Sequence, residues 1–202
     1  MSRKSRRKSR KLRLAIGLAF IAFIVIFGVS QSQKIIAYLV SWTDYQRIAP
    51  DVYIDPTASA EDRHRILRLI TAAEERVASF YGNYTATPTL IVGMTMASLQ
   101  RFSHNEYASC YYLPLKTIVV IGPKGQNIDV IAHELAHAEL GHRIGWWKIN
   151  FKIPTWFDEG LAMQLDHREE YSEAIYQEYR RKQTVFPAFS AISSSSGFFS
   201  ES

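Results

Sequence analysis

Apolar residues recur at helical intervals over 59–81, where Ile66, Leu67, Ile70, Ala73 and Val77 share one face and Gly82 is placed to end the helix. The interval shortens on either side. Val52–Ile54 and Thr89–Val92 are brief runs of strand character, and Thr117–Ile121 is a β-branched run closed by Gly122 and Pro123. A second helical period covers 127–140, with Ile128, Ile131, Leu135 and Ala138 in phase, Asn127 as the cap and Gly141 as the end. A further helix opens after Pro154, where Thr155 with Asp158 reads as a capping box. Short strands interleaved with helices of these lengths predict an α+β domain.

The first 33 residues follow another pattern. Arg3, Lys4, Arg6, Arg7, Lys8, Arg10, Lys11 and Arg13 supply eight positive charges with no acid among them, and residues 14–33 carry no charge. The strongly apolar part, 14–29, is 16 residues and is completed by the uncharged residues 30–33, enough to cross a bilayer. Gly28-Val29-Ser30 resembles a small-x-small cleavage site, but the apolar core is longer than a usual signal peptide, and an uncleaved anchor is the reading taken. Either way the basic residues hold the N-terminus in the cytoplasm and place the rest outside it, as expected of a single-pass protein of a bacterial cell membrane.

Charge supports this division. The chain has 24 Lys plus Arg and 19 Asp plus Glu, so removing the eight N-terminal cations leaves 16 against 19, a slightly acidic remainder. The basicity belongs to the tail, where it suits anionic lipid better than nucleic acid, and no nucleic-acid partner is expected. Residues 34–48 are amphipathic in places through Ile35, Ile36, Leu39 and Val40, and are expected either to extend the membrane helix or to rest on the surface. Cys110 is the only cysteine, so no internal disulfide forms, and its neighbours Tyr111, Tyr112 and Leu113 mark it as a packing residue rather than a nucleophile.

The candidate chemistry lies in the second helix, at His133-Glu134-Leu135-Ala136-His137. Residues four apart share a helical face, so both imidazoles can reach one ion while Glu134 faces a water on that ion. Zinc brings the pKa of such a water to about 7, and Glu134 as general base would accept its proton during attack on a carbonyl. Two histidines leave a catalytic zinc one protein ligand short. Glu159 is the choice for the third, since a helix packed across the first can present it, and the 21 intervening residues suffice for the connection.

Other candidates are weaker. His142 is off the face of the pair and reads as an exposed loop histidine, and Glu139, two residues from His137, reads as a solvated surface carboxylate. Asp166, seven residues after Glu159, is a candidate to orient a ligand histidine from behind, with helix termination as the plainer reading. Donors for a developing oxyanion could come from His104, Tyr111, Tyr112, Tyr171 or Tyr176, and the sequence does not choose among them. Trp146, Trp147, Phe151, Trp156 and Phe157 make the inter-motif stretch aromatic, read mainly as packing.

HELAH followed by PTWFDEGLA resembles the gluzincin metallopeptidases, and within them the small bacterial peptidase MA-like domains. The resemblance covers 117–166 and only loosely the region before it. It implies a zincin-like, thermolysin-type α+β domain with a mixed sheet and an active-site helix. It also implies Zn2+ held by His133, His137 and Glu159, with Glu134 as the catalytic base acting on a peptide or protein substrate. In that fold the strand before the metal helix is an edge strand; read from its residues alone, Thr117–Ile121 fits an interior strand equally well. The inter-motif loop is slightly longer than in thermolysin, and the chain continues for only about 36 residues after Asp166, where relatives run further.

The expected organisation is therefore a basic cytoplasmic tail (1–13), a transmembrane anchor (14–33), a juxtamembrane segment (34–48), a zincin-like metallopeptidase domain (49–183) and a C-terminal tail (184–202). The expected function is a membrane-anchored zinc endopeptidase. The alternative is a tethered binding or assembly module that keeps zinc without turnover, against which the presence of Glu134 argues.

Overall fold

The computed structural model describes Gly17, residues 31–169 and residues 173–182. Almost all of the expected 14–33 span lies outside these residues, as do the basic tail and the 184–202 tail. Among the described residues no helix is long and apolar enough to cross a membrane.

A five-stranded mixed sheet organises the domain. In chain order the strands are β1 (Gln46–Ala49), β2 (Val52–Ile54), β3 (Thr89–Val92), β4 (Ala108–Tyr112) and β5 (Thr117–Ile121), and in space they run β1-β2-β3-β5-β4. The three central strands are parallel, and the outer pairs β1–β2 and β4–β5 are antiparallel. Thr117–Ile121 is thus an interior strand, and the edge beside the metal-motif helix is β4, which the hydrophobic pattern does not announce. The physical reason is one-sided cover: β5 is apolar at nearly every position because both its faces are packed, whereas Ala-Ser-Cys-Tyr-Tyr of β4 is mostly half-buried.

Alternation in β3 and β5 sorts side chains between two cores. Leu90, Val92, Val119 and Ile121 point to one face, where α2 (Ala60–Tyr81) contributes Ile66, Ile70, Ala73 and Val77 and α4 (Ile128–Ile144) contributes Ile131 and Leu135. Each fully buried Ile, Leu or Val among them contributes roughly 1.5–3 kcal/mol. Ile91, Ile118 and Val120 point to the other face, against Ala37 of α1 (Ser32–Tyr38), Val40 of the following 3₁₀ turn, and Leu99 and Phe102 at and beyond α3 (Met96–Leu99). Much of residues 34–48 is accordingly built into the domain: α1 covers one face of the sheet and β1 extends its edge.

Helix α2 starts as its polar residues dictate. Ser59 caps it, accepting from the Asp62 backbone N–H while Asp62 accepts from the Ser59 N–H, and Gly82 ends it at φ 84°. Asn127 caps α4 by accepting from the Val130 N–H. Gly141 does not end α4, which runs on to Ile144 before Gly145 at φ 86°. The glycine serves packing instead. A Cβ at Gly141 would lie 2.8 Å from Cε1 of Tyr112, so the edge-strand tyrosine can lie against the helix only because that position is bare.

Two buried acids tie loops to this frame. Asp55, at the end of β2, accepts from the Thr57 N–H and hydroxyl, the Met94 N–H and the Ser98 hydroxyl. Glu139 is fully buried rather than solvated, because it accepts from the Thr85 and Ala86 N–H groups, the Thr85 hydroxyl and Arg143. The aromatic inter-motif stretch contains a short helix, α5 (Trp146–Phe151), followed by α6 (Thr155–Ala162), while α7 (Glu173–Lys182) lies beyond.

Candidate metal centre

Positions 133 and 137 of α4 face α6, one helical turn apart, and Glu159 projects from the middle of α6 to meet them. His133 Nε2 lies 3.2 Å from His137 Nε2, and Glu159 Oε2 lies 3.4 Å and 3.6 Å from these two nitrogens. The three residues expected as ligands are therefore brought together, each offering one ligand atom within 4.8 Å of the others. Bonds of about 2.0–2.1 Å to a tetrahedral ion would separate ligand atoms by roughly 3.3–3.4 Å. The spacing fits a first-row divalent cation.

The tautomer of His137 follows from its other nitrogen. Nδ1 lies 2.7 Å from Asp158 Oδ1 and donates to that carboxylate, which turns Nε2 toward His133 and Glu159. Asp158 is held in turn by Tyr112, whose hydroxyl donates to Oδ2 at 2.8 Å and lies 3.3 Å from the His137 carbonyl. The expected capping box at Thr155 and Asp158 does not form. Pro154 is the N-cap without a side-chain bond, and Asp158 is drawn to the histidine because a buried imidazole N–H is a stronger claim on a carboxylate than a solvated helix end.

His133 is held less tightly. Its Nδ1 is buried without a hydrogen-bond partner, 3.7 Å from Asp166 Oδ2. Asp166 itself is buried and taken by Arg168, which donates to both carboxylate oxygens, so it faces the histidine without reaching it. The acid behind one of the two histidines is thus Asp158 on His137, a residue that sequence reasoning does not single out for that place, Asp166 being the candidate it names beside helix termination. The chain carries no periodic signal for it, because Asp158 adjoins Glu159 and successive residues are set about 100° apart around a helix.

Electrostatics favour a cation here. Glu134, Asp158, Glu159 and Asp166 surround two imidazoles within the fold. Burial pushes the His137 imidazole down, but Asp158 and Glu159 outweigh it and hold it well above the ordinary range. Burial also raises Glu159, and the two histidines reverse that and bring it down to about 2. In other words, the carboxylates favour positive charge in their midst, which a proton on His137 supplies here. Glu134 is buried beside them and its carboxyl is pushed up, chiefly by burial, with the histidines pulling the other way. Among the described residues its carboxylate accepts no hydrogen bond, which leaves it free to take a proton.

The remaining candidates are distributed elsewhere. His142 is exposed near the end of α4, and His104 is exposed in the loop before β4. The Tyr111 hydroxyl donates to the Phe102 carbonyl and Tyr112 is bound to Asp158, so neither is free as an oxyanion donor in this arrangement. Tyr171 and the side chain of Tyr176 lie outside the described residues. Cys110 faces the core next to α4, and burial drives its thiol well up, which makes it a poor nucleophile. No family model, no curated protein and no solved structure matches this chain significantly.

Proposed function

We propose that this chain is a membrane-anchored zinc metallopeptidase of gluzincin type, acting on peptides or proteins outside the cytoplasm. The observation that carries the proposal is the meeting of His133, His137 and Glu159 beside an uncommitted, buried Glu134. Zinc, when bound by those three residues, would polarise the scissile carbonyl and make water acidic enough to ionise near neutral pH. The chain supplies the rest. Glu134 takes the proton from the attacking water on its carboxylate and returns it to the leaving amine, a task suited to a carboxyl whose burial has raised its affinity for protons. Asp158 holds the Nδ1 proton of His137, so that Nε2 is the nitrogen that would give up its proton to a bound metal, and Tyr112 keeps Asp158 in place.

The test is Glu134→Gln in the full-length protein purified in detergent. Metal content should remain near that of wild type, while cleavage of a casein or peptide-library substrate falls by at least about a thousandfold. Undiminished cleavage by the variant would remove Glu134 from the mechanism. Wild-type protein that holds zinc and cleaves none of a broad substrate set would instead favour the tethered binding module.

A further inference from the structure

We propose that the outer face of α1, the β4–β5 hairpin and α5 together form a seat that rests in the headgroup layer of the bilayer. This rests on the anchor reading of residues 14–33 and goes beyond it, because an anchor alone does not say which face of the domain meets the lipid. The α1 segment is two-sided. Ala37 and Val40 are fully buried against the sheet, while Ile35, Tyr38, Leu39 and Trp42, at spacings that share a helical face, point outward. Trp42 is 86% exposed. An indole left almost wholly in water between the buried Val40 and Tyr45 is placed for an environment other than water.

The apolar surface continues across the hairpin. Leu115 at its tip is 84% exposed, and the next residue, Lys116, sets its ammonium 4.7 Å from the ring centre of Tyr38 on α1. On the other side Trp146 donates its indole N–H to the Tyr112 carbonyl, and Trp146 and Leu115 border the same cavity of about 500 Å3. Trp147 and Phe151 then extend the surface along α5, their ring centres 4.4 Å apart and both exposed. Each of the three elements carries a lysine, Lys34 on α1, Lys116 in the hairpin and Lys148 on α5. Outward aromatic and aliphatic groups interspersed with lysines are the composition that headgroup layers accept.

What selects lipid as the occupant is where the uncharged run stops. It extends through Gln33, whereas α1 begins at Ser32, so no linker separates the two. Any bilayer that residues 14–33 enter therefore lies within a helical turn of Ile35 and two turns of Leu39, close enough for the outward face to meet it.

The experiment uses the full-length chain in nanodiscs of equal phosphatidylcholine and phosphatidylglycerol, one chain per disc. Two reporters are read: iodide quenching of Trp42, taken as the difference between wild type and Trp42→Phe, and an environment-sensitive label at Leu115→Cys, corrected for labelling of the unsubstituted chain. Seating predicts that iodide quenching of Trp42 falls about threefold or more below that of a free indole and that the label shifts to the blue. A triple polar variant, Ile35→Ser, Leu39→Ser and Trp147→Ser, alters no buried side chain and should restore quenching while circular dichroism stays unchanged. Free access of iodide to Trp42 in discs that do carry the protein overturns the seat and leaves the anchor standing. Failure of the chain to enter discs at all overturns both. Protection that appears only with two chains per disc assigns the face to a second copy and overturns the lipid proposal.

Discussion

At the level of single side chains, Asp158 is the residue on which the site turns. It fixes the proton of His137 Nδ1 and connects the histidine to the hydroxyl of Tyr112. Asp158→Asn preserves shape but offers either a neutral oxygen or an N–H to the ring. Zinc affinity should then fall about 10- to 100-fold, read by competition with a chromophoric chelator. The meeting of His133 and His137 is legible in the sequence because a four-residue spacing on a helix is itself a geometric statement, and Glu159 joins them as the motif that contains it led one to expect. The roles of Asp158 and Glu139 are not. Both are exceptions to solvation: each carboxylate is claimed by partners far away in sequence, Tyr112 for one and Thr85 with Ala86 for the other, and a helical wheel shows neither.

Among the elements, the long amphipathic helix and the interior strands follow from periodicity, since each buries a continuous face and ends on glycine, proline or a capping serine. Strands β1 and β4 lie on the sheet's edges and are covered on fewer sides, so their sequences lack the apolar repeat that would reveal them. Periodicity misplaces the end of α4 for a related reason. A glycine inside a helix reads as a terminator unless one knows that an aromatic ring from another strand occupies the space where its side chain would be. Gly141→Ala tests this at the α4–β4 contact. The added methyl would displace the Tyr112 ring, costing about 1–3 kcal/mol in stability by overpacking, in place of the roughly 1 kcal/mol gain that alanine brings at a free helical position. Urea denaturation of wild type and variant decides between the two signs.

Across the whole molecule, stability should depend on acid groups buried between segments. Burial raises the Asp55 carboxyl, but hydrogen bonds from Ser98, Thr57 and the Met94 N–H outweigh it and hold it below its ordinary value. A carboxylate with a depressed folded value stabilises the protein above its unfolded pKa, about 3.9, and loses that contribution as the pH falls through the folded value. Asp55→Asn should therefore be less stable than wild type at pH 7 by about 1–3 kcal/mol, and the gap should narrow on acidification toward about pH 3, as followed by thermal unfolding. The sheet order itself is beyond the reach of the sequence, because placing β5 beside β3 depends on pairing residues as distant along the chain as Thr89 and Ile118.

Helix α6 is the slightest of the elements that build the site, with Ala162 its only fully buried residue, yet it carries both Glu159 and Asp158. An element with so little apolar cover opens locally at small cost. A cation held by His133, His137 and Glu159, as proposed, would link the docking of α6 against α4 to its presence, and its removal should be felt as a loosening confined to this segment. Hydrogen exchange of the chelated protein should quicken across 146–165 while the amides of α2, β3 and β5 keep their protection. On the proposed reading, starvation for metal would hand proteases a specific segment to cut, so that the abundance of the protein becomes a report on the supply of the ion.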